Sequence, residues 1–176
     1  MTLATGRTLS RTTVPAWLAG VKREVGGFRL RIITGSIHDG ATALEQGGAD
    51  FLLSFTHPRL PLLLDEQRFE GLTLGTDELV AVSAPRPDGR PLHALPGTAR
   101  KPVPALLYAP TLALNQILQD GLSRLPRGLV GGDLKSGRLA AADARSPAMR
   151  FEIRLYRPRH ARSDLAQRIW AASQSA

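Results

Sequence analysis

Hydroxyl side chains stand where a predicted strand passes into a predicted helix, and their chemistry is binding. The turn Thr34-Gly35-Ser36 follows the alternating run from Phe28 to Ile33, which predicts a strand. In an open parallel sheet, ligands bind at the carboxyl ends of strands, where helix N-termini present free N–H groups. The turn is therefore predicted to form part of a small-molecule pocket.

The residues of this turn support catalysis less well than they support ligand binding. Ser36, His38 and Asp39 are only two and three residues apart, and that spacing does not place serine, histidine and aspartate in a hydrogen-bonded series. No G-x-S-x-G elbow is present. Asp39 is instead predicted to be the N-cap of a short helix carrying Leu44. The histidines share no metal-ligand spacing, and the glycines near residue 131 form no phosphate loop.

The elements around the turn form a repeating pattern. Residues 1–6 predict a strand, residues 7–12 a polar turn, and Val14, Trp17, Leu18 and Val21 an amphipathic helix that Thr12 or Thr13 would cap. A second strand, a short helix and a strand over residues 51–55 follow. Strands joined through helices should lie parallel with right-handed crossovers. Residues 1–55 therefore predict β-α-β-α-β.

The later chain predicts a second lobe that begins near residues 76–80. Within it, residues 103–108 predict a strand, Thr111 caps a helix, and a short helical turn lies near Asp133. Residues 151–156 alternate as a strand, and Ser163 caps a last helix with Trp170 on its apolar face. Trp17 and Trp170 are predicted to be core residues rather than ligand stackers.

Composition excludes several classes of protein. The chain has 176 residues and a net charge of +8. It contains no cysteine, which excludes disulfides and thiolate chemistry. No apolar run reaches the roughly 20 residues that a bilayer span needs, and no signal peptide is visible, so a cytoplasmic location is expected. The arginines are mostly scattered, and the densest run, residues 154–162, favours a solvated basic edge over a nucleic-acid surface.

Six segments of the chain form a distinctive set through their order and spacing: ATGRTLSRTTVPAWL, FRLRIITGSIHDGATALEQGGADFLLS, RFEGLTLGTDELVAVSAP, LLYAPTLAL, SRLPRGLVGGDLKSGRL and FEIRLYRPRHARSDLAQRIW. Together they resemble the effector-binding domain of LysR-type transcriptional regulators. The resemblance runs from Leu3 to about Trp170, and its opening and its TGSIHD turn are most similar to the hypochlorite-responsive or quorum-type branch.

The resemblance implies a type II periplasmic-binding-protein-like α/β fold, with two Rossmann-like lobes and a small effector in the cleft between them. Lobe I would span residues 1–79, lobe II 80–152, and a return strand and helix 153–176. It implies no enzyme activity, no cofactor and no metal. It also implies a homodimer that contacts DNA only through a helix-turn-helix domain. The implied effector-binding hydroxyls are Thr8, Ser10, Thr34, Ser36 and Thr111, each of which can equally be a helix cap. Arg7 or Arg11 would complement a carboxylate effector.

Two departures from the family pattern leave alternatives open. No helix-turn-helix or linker helix precedes the first strand, and the chain between Leu114 and Leu125 is too short for the family's further strand and helix. The second lobe is therefore expected to be shortened. The alternatives are a truncated non-functional fragment, a stand-alone binding module, or a small enzyme similar to prephenate dehydratase. The effector of the regulator reading would be an organic anion.

Overall fold

The computed structural model describes residues 1–58, 62, 64–95, 97, 103, 124–142, 149–160 and 163–175. The chain divides into two compact units. Unit 1 comprises Met1–Thr76 and Glu152–Ala176, and unit 2 comprises Asp77–Phe151. None of the helices in the described part of the chain is long and apolar enough to cross a membrane.

Unit 1 is built on a sheet whose first three strands run parallel. β1 (Thr2–Thr5) lies between β2 (Arg31–Thr34) and β3 (Phe51–Thr56) and pairs in parallel with both. β3 then pairs antiparallel with β7 (Met149–Pro158), and β4 (Phe69–Ser83) follows in the order β2-β1-β3-β7-β4. The parallel arrangement predicted for the first three strands is confirmed. The elements are β1 (Thr2–Thr5), α1 (Arg7–Thr12), α2 (Val14–Val25), β2 (Arg31–Thr34), α3 (Ile37–Glu45), β3 (Phe51–Thr56), β4 (Phe69–Ser83), β7 (Met149–Pro158) and α5 (Asp164–Gln174).

One face of this sheet packs against α2 and α5. Phe51 is fully buried and its ring stacks on Trp170 with centroids 6.5 Å apart. The two helices contact each other, and the buried indole N–H of Trp17 donates to Ser173 Oγ over 2.9 Å. The prediction that both tryptophans are core residues is confirmed, since Trp17 and Trp170 are each buried. Ser163 Oγ accepts from the Ala166 N–H, so the predicted cap of α5 is also confirmed.

The opposite face packs against α3. Its buried cluster consists of Ala4, Leu44, Ala49, Leu52, Phe69 and Tyr156. Gly40 of α3 faces this cluster, and a Cβ there would lie 2.7 Å from Leu52 Cδ1. Glycine at this position therefore lets α3 approach the sheet closely enough to cover the apolar side chains.

Unit 2 contains the second half of β4 together with β5 (Arg124–Pro126), α4 (Arg127–Lys135) and β6 (Ala140–Ala141). β5 and β6 both pair antiparallel with β4. The Asp77 carboxylate accepts from the Gly128 N–H at the start of α4, through Oδ1 at 3.2 Å and Oδ2 at 3.1 Å. Because the N-cap Pro126 has no hydroxyl or carboxylate, Asp77 supplies the negative charge that a helix N-terminus favours.

Four predictions of local structure need correction. Residues 7–12 form helix α1 rather than a polar turn, and α4 runs over nine residues rather than one short turn. Thr13 occupies the N-cap of α2 without a side-chain hydrogen bond, and Thr12 does not cap the helix because its Oγ1 donates back to Thr8 O. Ser36, not Asp39, is the N-cap of α3. The predicted strand at 103–108 and the predicted helix after Thr111 lie outside the described residues, Val103 excepted, as does most of the predicted gap at 115–125.

Candidate functional site

The candidate site lies where β1, β2 and β3 end. Thr5 pairs with Thr34 of β2 and with Leu53 of β3, so the three parallel strands finish at the same edge of the sheet. We call this the carboxyl edge, defined by the last residues of the three strands, Thr5, Thr34 and Thr56. Helices α1 and α3 begin directly after it, which is the position where parallel sheets bind ligands.

At the centre of the edge, a buried hydroxyl ties two strands together. Thr5 is only 3% exposed, and its Oγ1 donates to Leu53 O over 2.9 Å. The Gly35 N–H donates to Thr5 O over 3.2 Å, which holds the turn after β2 against the end of β1. The Thr5 hydroxyl is therefore a structural group, and the groups available to a ligand are those that follow it.

Helix α1 carries two of the predicted site residues. Thr8 and Ser10 are both half-buried. Ser10 Oγ donates to Arg7 O over 2.8 Å, within the helix itself. Its hydroxyl proton is thereby used, and Ser10 retains only acceptor capacity for a ligand. α1 contacts β2, so Thr8 and Ser10 lie on a helix that adjoins the strand ending at Thr34.

The turn after β2 forms a capping box. The Asp39 N–H donates to Ser36 Oγ over 3.1 Å, and the Ser36 N–H donates to Asp39 Oδ2 over 3.1 Å. Ser36 Oγ also donates to Asp39 Oδ2 over 2.7 Å. These hydrogen bonds from the Ser36 hydroxyl and backbone hold the pKa of Asp39 below its ordinary value of 3.8. The start of α3 is therefore occupied by the protein's own carboxylate, and an anion placed there would meet a like charge.

The structure thus brings Thr34 and Ser36 to the carboxyl edge beside the helix that carries Thr8 and Ser10. Thr34 is exposed at the last position of β2. The fifth predicted residue, Thr111, lies outside the described residues. Which of these side chains contacts a ligand stays a prediction.

A second polar group at the same edge was not predicted. We call it the Arg154 cluster, and its members are Thr56, Thr73, Glu152, Arg154 and Tyr156. Arg154 pairs with Ser54 and Glu152 with Thr56, which sets these residues of β7 opposite the end of β3. Thr56 Oγ1 and the Tyr156 hydroxyl are 3.0 Å apart, and Thr73 Oγ1 donates to Glu152 Oε2 over 3.3 Å.

The geometry of the edge does not support a catalytic triad or a metal site among the described residues. Ser36 donates its hydroxyl proton to the carboxylate of Asp39 and not to His38, so the serine has no histidine base there. Within the described residues, no group of three or more histidine, aspartate or glutamate side chains is arranged to hold a metal ion. Among the described residues, the edge offers hydroxyl groups and the guanidinium of Arg154, and these can bind a small polar or anionic molecule.

The fold is that of the regulatory, effector-binding domains of LysR-type transcriptional regulators. The regulatory domain of HypT from Salmonella typhimurium, in its apo form, is similar with a TM-score of 0.80 and 18% identity, over 99% of this chain and 93% of that chain. The bromide-bound form of that domain is similar with a TM-score of 0.77 and 19% identity, over the same shares of the two chains.

A third similar structure is Vibrio fischeri DarR in complex with DNA, a LysR-family member described with a transcriptional activation mechanism. Its TM-score is 0.79 at 18% identity, and the alignment covers 100% of this chain and 68% of that chain. No protein-family model matches the sequence, and no curated protein matches it either. At these identities the likeness establishes the fold. At the level of the fold, it confirms the resemblance to LysR-type regulators that the sequence indicates.

Proposed function

We propose that this chain is the effector-binding domain of a LysR-type transcriptional regulator and that its activity is reversible binding of a small molecule, not catalysis. The observation that carries the proposal is the similarity to the HypT regulatory domain over 99% of this chain. Fold alone does not fix function, so the proposal also draws on the site. The carboxyl edge carries hydroxyls and an arginine, and the serine there has no histidine partner.

We propose that residues 1–79 and 80–152 act as two lobes, with 153–176 returning to the first, and that the effector binds in the cleft between them. The proposed contacts are Thr8, Ser10, Thr34, Ser36 and Thr111. Binding would select one arrangement of the lobes, and the change would pass to a DNA-binding helix-turn-helix domain outside this sequence. Homodimerisation and action in the cytoplasm belong to the same proposal.

An anionic effector fits the chain best, with its charged group placed away from the Asp39 carboxylate at the start of α3. The net charge is +8, which favours encounter with anions. The similar HypT domain is described with bromide bound, which supports an anion-binding role in a protein of this fold.

Thermal unfolding with a ligand panel tests the proposal. The purified chain is heated with small carboxylates, amino acids, sugars, halides and hypochlorite, each at several concentrations. A ligand of the native state should raise Tm progressively with its concentration. Flat Tm values across the whole panel would contradict an effector-binding role, and turnover of a panel compound would favour the enzyme reading instead.

A further inference from the structure

The guanidinium of Arg154 has more hydrogen-bonding capacity than its neighbours use. Its Nη2 donates to Gly71 O over 3.3 Å, whereas its buried Nε has no hydrogen-bond partner among the described residues. The nearest carboxylate oxygen, Glu152 Oε2, is 3.9 Å from Nε, too far for a hydrogen bond. Arginine presents five N–H donors in a rigid fork that matches anions. Arg154 Nε is therefore an unused donor, and an acceptor can reach it only when the groups that cover it, such as the Glu152 side chain, are displaced.

The fork is held in place by its packing. The Arg154 guanidinium carbon lies 5.5 Å from the centroid of the Tyr156 ring, a cation–π distance. Gly71 on β4 permits this packing, because a Cβ there would lie 2.7 Å from Tyr156 Cε1 and 3.1 Å from Arg154 Nη2. A guanidinium fixed in this way loses little side-chain entropy when it binds a ligand.

Hydroxyl groups add a second donor to the cluster. Thr56 Oγ1 and the Tyr156 hydroxyl share one hydrogen bond of 3.0 Å, in which one hydroxyl donates and the other accepts. The accepting hydroxyl keeps its own proton for another partner. Thr73, by contrast, spends its proton on Glu152 Oε2. Glu152 therefore accepts a hydrogen bond from the neutral Thr73 hydroxyl, and its contact with Arg154 is only a long ion pair.

We propose that Arg154 is the anion-binding residue of the effector site and that its ligand is a small anion, either a carboxylate or a halide-sized inorganic ion. The anion takes the place that the Glu152 carboxylate occupies only loosely. The side chains of Arg154 and Glu152 are 33% and 48% exposed, so a solute can reach both. The inference rests on the proposed function, because it names the ligand class of that same carboxyl edge.

Along the chain, the Arg154 cluster lies beside both connections between the two units. β4 passes from unit 1 into unit 2 after Thr76, and β7 enters unit 1 at Glu152. Thr73 precedes the first of these connections by three residues, and Glu152 is the first residue after the second. A ligand that displaces Glu152 from Arg154 therefore changes the side-chain pairing beside both connections.

The test titrates the full chain with sodium bromide in one series and sodium benzoate in another, and follows Tm. Ionic strength is held constant with sodium sulfate, whose anion is neither a carboxylate nor halide-sized. We expect a saturable rise in at least one series, and the series that gives it distinguishes a halide from a carboxylate. Arg154→Gln should weaken that binding by at least about tenfold, the effect of losing a hydrogen-bonded charge. The matched control Arg90→Gln removes a charge from a side chain that is 83% exposed and should leave Kd unchanged.

Glu152→Gln supplies a test that does not depend on how well an Arg154 variant folds. If the carboxylate competes with the ligand, this variant should bind the same anion about threefold to tenfold more tightly. Weaker or unchanged binding in Glu152→Gln overturns the proposal, as does equal behaviour of Arg154→Gln and Arg90→Gln. The absence of saturable binding in both series overturns it too. A neutral panel ligand that binds equally well to wild type and Arg154→Gln would overturn this inference while leaving the proposed function standing.

Discussion

Ser36 and Asp39 satisfy each other at the start of α3, with the serine hydroxyl accepting the Asp39 N–H and donating to the Asp39 carboxylate. Because this cap supplies a partner for a helix N–H that otherwise has none, Ser36→Ala should lower the free energy of unfolding by about 1 kcal/mol. Chemical denaturation of the variant measures it. Ser175→Ala, at an exposed position after α5, is the control and should be neutral. Equal stabilities of the two variants would contradict the capping role.

The same pair predicts a pH dependence. Hydrogen bonds from Ser36 lower the folded-state pKa of Asp39 below 3.8. A lowered folded pKa adds stability above the unfolded pKa, and that stability is lost as pH falls through the folded value. The stability difference between wild type and Asp39→Asn should therefore be largest above pH 3.8 and shrink as the pH is lowered below it. A difference that stays constant down to complete protonation would exclude this linkage.

A side chain at position 71 should clash with Tyr156, and Gly75 on the same strand provides a control position. A Cβ at position 71 would lie 2.7 Å from Tyr156 Cε1, whereas a Cβ at Gly75 would meet nothing within 4 Å. Gly71→Ala should displace the Tyr156 ring and destabilise unit 1 by about 1–3 kcal/mol, the usual range for overpacking. Gly75→Ala should be nearly neutral. Denaturation curves of the two variants provide the comparison, and similar losses in both would show that the contact with Tyr156 is unimportant.

Removing the Ser173 hydroxyl should lower the stability of the protein, because the buried Trp17 indole N–H would lose its acceptor. Ser173 accepts the indole N–H of Trp17 over 2.9 Å and donates to Ile169 O over 2.8 Å. Ser173→Ala leaves the buried N–H without an acceptor and should cost about 1–3 kcal/mol. Trp17→Phe with Ser173→Ala in one chain removes both polar groups. A double-mutant cycle should then give a coupling energy above about 0.5 kcal/mol, and strict additivity would argue against the bond.

Asp77 predicts a similar effect in unit 2, because its carboxylate accepts the Gly128 N–H at the start of α4. Asp77→Ala should lower the stability of α4 by about 1 kcal/mol, through the loss of the capping hydrogen bonds and of the favourable charge at the helix N-terminus. Asp77→Asn retains an acceptor and should lose less. Hydrogen exchange of the α4 amides measures the change, and unaltered exchange in Asp77→Ala would contradict it.

The sequence pattern was sufficient where structure is local. Alternation and helical spacing predicted β1, β3, α2 and α5, and short connections through helices predicted the parallel pairing. The pattern was less informative at β2, where Ile32 is 41% exposed although the alternation suggested a buried face. Among the described strands, β2 lies at an edge of the sheet and has β1 as its one neighbour. Burial there depends on tertiary packing that alternation does not encode.

The candidate site divides in the same way. The position of Thr34 and Ser36 at the carboxyl edge was predictable because they follow a strand within a few residues, and their contact with a ligand stays a prediction. The Arg154 cluster was not predictable, because Thr56 and Tyr156 are 100 positions apart and meet through the pairing of β3 with β7. A visible signal was the alternation of Glu152 and Arg154 with apolar residues in β7. That alternation placed both charged residues on one side of the strand, but it did not indicate which residues they would contact. The sequence offered Ser36 as a possible helix cap, but Asp39 was chosen as the N-cap of α3 because it is an equally good cap by residue type.

Hydrogen exchange with and without the strongest ligand of the thermal panel tests the central claim most directly. An effector-binding domain of this kind should show slower exchange at the carboxyl edge, in residues 5–10, 34–40 and 54–57, and beside Arg154 in β7. The opposite edge, around Arg31 and Asp50 where β2 and β3 begin, should be unchanged. Protection confined to that opposite edge, or no protection by a ligand that raises Tm, would contradict an effector site at the carboxyl ends of the strands.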